Sequence, residues 1–227
     1  FSEGLARVKK DGKWAFLDKS GKVVIEPQFD YPGYFSEGLA WVKIDDKLGY
    51  IDKNGKVVIE LQFDDGGAFS EGLALVGKDD KWGYIDKNGK VVIEPQFDDA
   101  NPFIEGLAQV EKDGKWGFID KSGKVVIEPQ FDGAKPFSEG LAQVEIDGKY
   151  GYIDKSGKVV IGPQFDDVDD FNEGFASVEK DGKYGYIDKN GKVVFKPQFD
   201  YAGDLFEGIA KVEKDGKYGF IHKSGKV

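Results

Sequence analysis

Hydrophobic and polar positions alternate along this chain in short runs, and the runs return in a fixed order. In Gly4-Leu5-Ala6-Arg7-Val8-Lys9-Lys10, Ala6 and Val8 fall on one face, the period of two that a half-buried strand requires. The position between them varies as Arg7, Trp41, Leu75, Gln109, Gln143, Ser177 and Lys211, so the opposite face is expected to be partly wet. Asp11-Gly12 signals a tight turn, because glycine tolerates the positive φ of a primed hairpin. Asp46 and Asp80 replace that glycine in two places, and Asp takes the conformation less readily.

The second run, Lys13-Trp14-Ala15-Phe16-Leu17-Asp18, is apolar or minimal on both faces, which predicts a mid-sheet strand covered above and below. Later counterparts of Ala15 are glycines (Gly49, Gly83, Gly117), a sign that something approaches that backbone closely. Asp18-Lys19-Ser20-Gly21-Lys22 reads as a short loop ending in a bulge, with the Asp side chain folded back on the backbone. Val23-Val24-Ile25-Glu26 predicts a third strand, and the non-donating Pro27 behind it predicts a sheet edge. Leu61 stands where the other copies have that proline. Residues 28–30 are expected to form a short irregular fourth segment buried through Phe29. A linker that differs every time (YPGY, DGGA, DANP, GAKP, DVDD, YAGD) then leads into the next Phe-Ser-Glu-Gly-type start.

The whole series repeats every 34 residues: Trp14, Leu48, Trp82, Trp116, Tyr150, Tyr184 and Tyr218 mark it, as do Gly4, Gly38 and their successors. The repeats are 1–34, 35–68, 69–102, 103–136, 137–170 and 171–204, with a partial seventh at 205–227, all in one array, 1–227. A fixed period of this size predicts a repeat architecture. The expected fold is all-β: tandem three-to-four-stranded antiparallel meanders, each stacked face to face on its neighbours because so small a unit cannot bury both faces alone. An open superhelical array is favoured; a closed propeller-like ring is the alternative, although seven complete repeats would exceed the 227 residues present. The first repeat opens at its Phe and the last stops inside its Val-Val run, which reads as an excerpt of a longer array.

Composition narrows the function classes. The net charge of −10 argues against a broad phosphate-binding surface, so nucleic acid is not expected. Charged residues interrupt every repeat, so no run is long enough for a membrane helix. There is no cysteine for a disulfide or thiolate site.

The KWG, LGY or YGY core followed by IDKxGKVVI, and then by PQFD and FSEGLAxV, resembles the WG repeat family of bacteria. The Trp-Gly pair itself survives only as Trp82-Gly83 and Trp116-Gly117; Leu48 is not aromatic, and its repeat is expected to pack more loosely. The resemblance implies a β-rich repeat, often surface-associated or appended to other domains, with no catalytic residues and no cofactor. A bacterial surface or secreted location is slightly favoured over the cytoplasm.

His222 occupies a site that is Asp18, Asp52, Asp86, Asp120, Asp154 and Asp188 elsewhere, which reads as turn drift. Glu3, Asp11 and Asp30 recur with the period, and equivalent sites in every repeat look like scaffolding rather than an acid/base pair. Asp52-Lys53-Asn54-Gly55 lacks the fifth-position ligand of an EF-hand, so no metal is expected. Lys13, Lys19 and Lys22 with their counterparts form either a solvated charge-paired surface or a row of anion sites. The aromatic residues outside the pattern, Trp41, Tyr31, Tyr34 and Tyr201, are the candidate partner-binding residues. Trp82, Tyr84, Ile85, Val91, Ile93 and Phe97 are the expected core of their repeat.

The resulting expectation is a non-enzymatic scaffold for protein–protein interaction, its variable linkers and Arg7-type positions forming the partner surface. Copies of the chain joined end to end into fibres are the structural alternative, and a glycan-binding surface is a further one.

Overall fold

The computed structural model describes residues 1–224, in which every regular element is a β-strand. Two compact units divide the chain. Unit 1 comprises residues 1–113 and 119–125, and unit 2 comprises residues 114–118 and 126–227. The boundary passes through the strands Lys115–Asp120 and Val125–Phe131.

In unit 1, the first repeat forms a sheet from Leu5–Lys10, Lys13–Asp18 and Val23–Phe29, in that order. The first hairpin keeps an unbroken register from Leu5↔Asp18 to Lys10↔Lys13. Its turn residues Asp11 and Gly12 have φ of 50° and 86°, both positive as the primed turn demands. Asp46 and Asp80 hold the same conformation at 62° and 58°, so the hairpin survives the loss of glycine. The second turn closes as expected: Asp18 Oδ1 accepts from the Ser20 N–H at 2.8 Å and the Lys22 N–H at 3.0 Å.

The third strand lies at the sheet edge, but it does not stop at Glu26. It continues through Pro27 to Phe29, which corrects the expected fourth segment over residues 28–30. Phe16 pairs with Ile25 and Trp14 with Phe29, so three residues bulge opposite one. The bulge explains the recurring glycine. A Cβ on Gly83 would stand 2.5 Å from the Ile93 carbonyl oxygen and 2.6 Å from Pro95 N. What approaches that backbone is its own partner strand.

From the second repeat on, each sheet takes a further strand from the linker before it. Tyr31–Pro32 pairs with the following first strand, Tyr31↔Lys43 and Pro32↔Val42. Sheet order is then linker, first, second and third strand, as in Tyr31–Pro32, Leu39–Ile44, Lys47–Asp52 and Val57–Phe63. Each linker therefore stitches one repeat into the sheet of the next. In unit 2 the same order holds for Asp167–Val168, Phe175–Lys180, Lys183–Asp188 and Val193–Phe199.

Within each unit the core lies between successive repeats. Leu5, Phe16, Ile25 and Phe29 pack on Phe35, Ala40, Val42 and Ile51 of the next repeat. The Phe16 and Phe35 rings meet edge-on at 5.0 Å. In unit 2, Tyr152 meets Phe171 at 4.7 Å in the same way. Such ring pairs contribute about 0.5–1.5 kcal/mol beyond their area burial.

Three expectations about packing need correction. Tyr84, Ile85, Ile93 and Phe97 are buried, but Trp82 and Val91 are only half-buried. Trp82 is the second residue of its strand, Lys81–Asp86, and lays its ring along Gly77, at the rim of the core. Leu48, expected to loosen its repeat, is fully buried. The next linker, Asp65–Ser70, forms a six-residue strand there, and Gly66 passes close above Leu48 and the Tyr50 hydroxyl. Lastly, the Arg7-type positions are not a wet surface: Leu75, Gln109, Gln143 and Ser177 are buried, Arg7 and Trp41 half-buried, and Lys211 exposed. Following linkers explain part of this. Gln143 Nε2 donates to Asp170 at 2.7 Å, and Arg7 Nη1 donates to the Pro32 carbonyl at 2.6 Å.

Candidate functional site

The charged residues that recur are joined to one another by the fold. Glu3 accepts from the Gly38 N–H at 3.1 Å and pairs with Lys53 at 2.9 Å. Glu37, Gly72 and Lys87 repeat this arrangement, as do Glu139, Gly174 and Lys189 in unit 2. Lys87's hydrogen bond, reinforced by the Gly72 N–H, holds the Glu37 carboxyl below its ordinary value against the opposing effect of burial. Asp30 forms a second rung: one oxygen takes Lys13 at 2.5 Å, the other the Asp45 N–H at 3.2 Å. Lys13 is thus charge-paired, whereas no ion pair reaches Lys22 among the described residues. The Asp52 loop resembling a calcium site spends its Oδ1 on the Asn54 and Lys56 N–H groups, both at 2.9 Å. Among the described residues no group of three or more His, Asp and Glu is placed to hold a metal. His222 sits exposed with Nδ1 2.8 Å from Ser224 Oγ, the turn role that Asp18 plays with Ser20.

Sequence reasoning missed a polar cluster in unit 2. The Ser177 hydroxyl donates to the Asp169 carboxylate, the Tyr152 hydroxyl donates to the Asp169 carbonyl at 2.6 Å, and Gln143 reaches Asp170. Burial pushes the Asp170 carboxyl up, with Gln143 opposing. The signal was the linker DVDD, the most acidic of the six. In unit 1, Gln109 is buried and its Nε2 has no hydrogen-bond partner among the described residues.

The aromatic candidates do not converge. Tyr31 is 64% exposed and borders a hollow with Lys9, Asp30, Lys43 and Asp45. Tyr34, 55% exposed, borders a separate hollow of about 240 Å³ with Phe1, Ala6, Arg7 and Trp14. The Arg7 guanidinium lies 3.6 Å from the Tyr34 ring centre, a cation–π contact worth about 0.5–2 kcal/mol. Trp41 is different in kind. Its ring lies so close to Gly33 that a Cβ there would be 2.2 Å from Nε1, and it packs against the core of its repeat. Tyr201, in unit 2, is 49% exposed. Arg7, which the sequence reading placed only on a variable face, is the residue that organises the Tyr34 side.

The first and last repeats also expose rings. Phe220 is 66% exposed, whereas its counterparts Phe16, Tyr50, Tyr84, Tyr152 and Tyr186 are fully buried; Phe1 is 73% exposed.

A family model described as a WG containing repeat matches residues 1–14, 15–47, 49–82, 82–116, 116–150, 150–184 and 184–218. No curated protein matches the chain. Among solved structures, a crystal structure of a eukaryotic initiation factor is similar with a TM-score of 0.62 and 13% identity, covering 100% of this chain and 73% of that one. Hsv2p of Kluyveromyces lactis is similar with a TM-score of 0.53 and 10% identity, covering 93% of this chain and 86% of that one. At such identities the likeness is one of fold.

Proposed function

The chain belongs to the family of WG-containing repeats, and from that premise we propose that it is a non-enzymatic scaffold for protein partners. The observation that carries this reading is the contrast between two sets of polar and aromatic groups. The recurring Glu3-type and Asp30-type carboxylates are committed to contacts between repeats, which leaves them poorly placed for acid/base work. Tyr31 and Tyr34, which belong to no repeat pattern, stand open on one linker with Arg7 stacked on the second ring. Tyrosine and arginine are the residues that anchor protein interfaces. Tyr201 is a lesser contact by the same logic, and Trp41 supports the surface from beneath. The test is affinity capture from the native host's extract with the chain and with Tyr31→Ala/Tyr34→Ala. The double variant should stay folded, melting a few degrees lower through loss of the Arg7–Tyr34 contact, and lose the partner; an undiminished capture would remove this surface from consideration.

A further inference from the structure

Two departures from the repeating pattern meet beside one ring of unit 1. At the position paired with the recurring aromatic residue, the other repeats carry a long charged side chain: Lys9, Lys43, Glu111, Glu145, Glu179 and Glu213. The third repeat carries Gly77 there, paired with Trp82. Two of those side chains show how the position is used. The Lys9 ammonium stands 5.9 Å from the centre of the Trp14 ring, and Glu145 Oε2 accepts from the Tyr150 hydroxyl at 3.1 Å. Nothing in the backbone demands a glycine at 77. Its φ lies outside the left-handed region, and a Cβ would meet the Trp82 ring at 3.4 Å, an ordinary contact. The second departure is Asp80, which takes the turn position of Gly12 and Gly114, a change shared only with Asp46.

Gly77, Asp80 and Trp82 line the same hollow, of about 370 Å³, a volume in the range of small-ligand sites. Asp64, Asp65 and Asp98 line it too, against Lys78 and Lys81, so its excess charge is negative. Two of the carboxylates are committed. Asp64 takes Lys47 at 2.5 Å and the Asp79 N–H at 3.0 Å, and Asp98 takes Lys81 and the Asp113 N–H. Asp80 is exposed, with neither a hydrogen bond nor an ion pair among the described residues. Asp65 accepts the Gly66 N–H with one oxygen at 2.8 Å.

We infer that this hollow receives a cationic side chain, lysine or arginine, from a partner protein, with its charge over the Trp82 indole and its N–H groups on Asp80 and Asp65. The inference deepens the scaffold reading above and rests on it for the source of the cation. The arriving group takes the role that Lys9 plays on Trp14. A cation is drawn to an indole face, the more so as the pair leaves water, and N–H donation from a cation to a carboxylate is about twice as strong as between neutral groups. A neutral side chain of similar length gains neither. The change at Gly77 removes the chain's own occupant, and the change at Asp80 supplies a free carboxylate.

Titration of the full chain with a short blocked peptide, Gly-Gly-Arg-Gly-Gly, tests this, beside versions with Lys and Gln at the centre. The chain has four tryptophans, and Trp82→Phe identifies the indole N–H signal of Trp82 in a proton–nitrogen NMR spectrum. That signal should move saturably with the Arg and Lys peptides, at roughly millimolar concentration, and stay in place with Gln. Gly77→Glu, which restores the side chain of four other repeats, should weaken binding by at least about tenfold. Asp80→Gly, which restores the turn glycine, should weaken it by about threefold. Should Gly77→Glu displace the ring, Asp80→Gly, in an exposed turn, still decides. A Trp82 signal that does not move, or that moves equally with the Gln peptide, overturns the inference, as does full affinity in Asp80→Gly. Tyr31→Ala/Tyr34→Ala should bind the peptides unchanged, so a failure here is distinct from a failure of the capture experiment.

Discussion

Tyr84 and Trp82 stand two residues apart on one strand and both belong to the repeating pattern, yet one lies at the centre of a contact between sheets and the other at its rim. Tyr84 is fully enclosed, its ring 4.9 Å from Phe103 and its hydroxyl donating to the Asn101 carbonyl at 2.7 Å. Trp82 covers Gly77 with one face and leaves the other partly open. Recurrence thus has two causes. Central residues recur because the neighbouring repeat presents the same cavity each time, and rim residues recur because they seal and align the contact.

The largest effect should separate the two directly. Tyr84→Ala should cost about 3–5 kcal/mol by urea unfolding, the range for a large buried ring, and Trp82→Ala only about 1–2 kcal/mol, in keeping with its smaller buried area. Equal losses would erase the distinction between centre and rim. A sharper version inserts the family's signature residue where this chain lacks it. Leu48 has no spare room beneath Gly66, so Leu48→Trp should destabilise by about 1–3 kcal/mol through overpacking. A neutral or stabilising result would mean that the linker strand lifts off readily.

The smallest effect belongs to the rim's ion pairs. Glu71 pairs with Lys121 at 2.9 Å on a largely exposed surface, and Glu71→Gln should cost less than about 1 kcal/mol at neutral pH. Its pH dependence is the more telling readout. Lys121's hydrogen bond holds the Glu71 carboxyl below its ordinary 4.5. A carboxyl depressed in the folded state contributes fully above its unfolded value and loses that contribution as pH falls through the folded one. The unfolding midpoint should therefore drop on acidification below about pH 4.5, and Glu71→Gln should lessen the drop; identical acid profiles would show that the rung is idle.

Much of the fold was legible because the pattern of one repeat could be read seven times. The three strands, the Asp-Gly turn and the Asp18 loop follow from residues that act within their own hairpin. What escaped depends on the neighbour. Nothing in Leu5–Lys10 says that the Arg7 position is covered, because the cover includes the Pro32 carbonyl and the Tyr34 ring of the next linker. Leu48 looked like a defect for the same reason, since its lid is Gly66. Variability at these positions was read as exposure, but Leu75, Gln109, Gln143 and Ser177 vary while buried. Glu3 and Asp30 were legible as scaffold, though not the atoms they bind. The candidate surface was half legible: Tyr31 and Tyr34 are open as their linker position suggested, and Trp41 is not.

The rungs also set how this protein is made. Their partners lie 15, 17, 33, 35 or at most 50 residues apart, so no rung waits for a distant part of the chain. A repeat emerging from the ribosome meets the groups that complete its rungs once about fifty further residues have followed it. Synthesis proceeds at roughly 5–20 residues per second, so that interval lasts seconds. Assembly can then keep pace with translation, each new segment sealing the one before, and the length of sticky surface exposed at any moment stays constant however long the array grows.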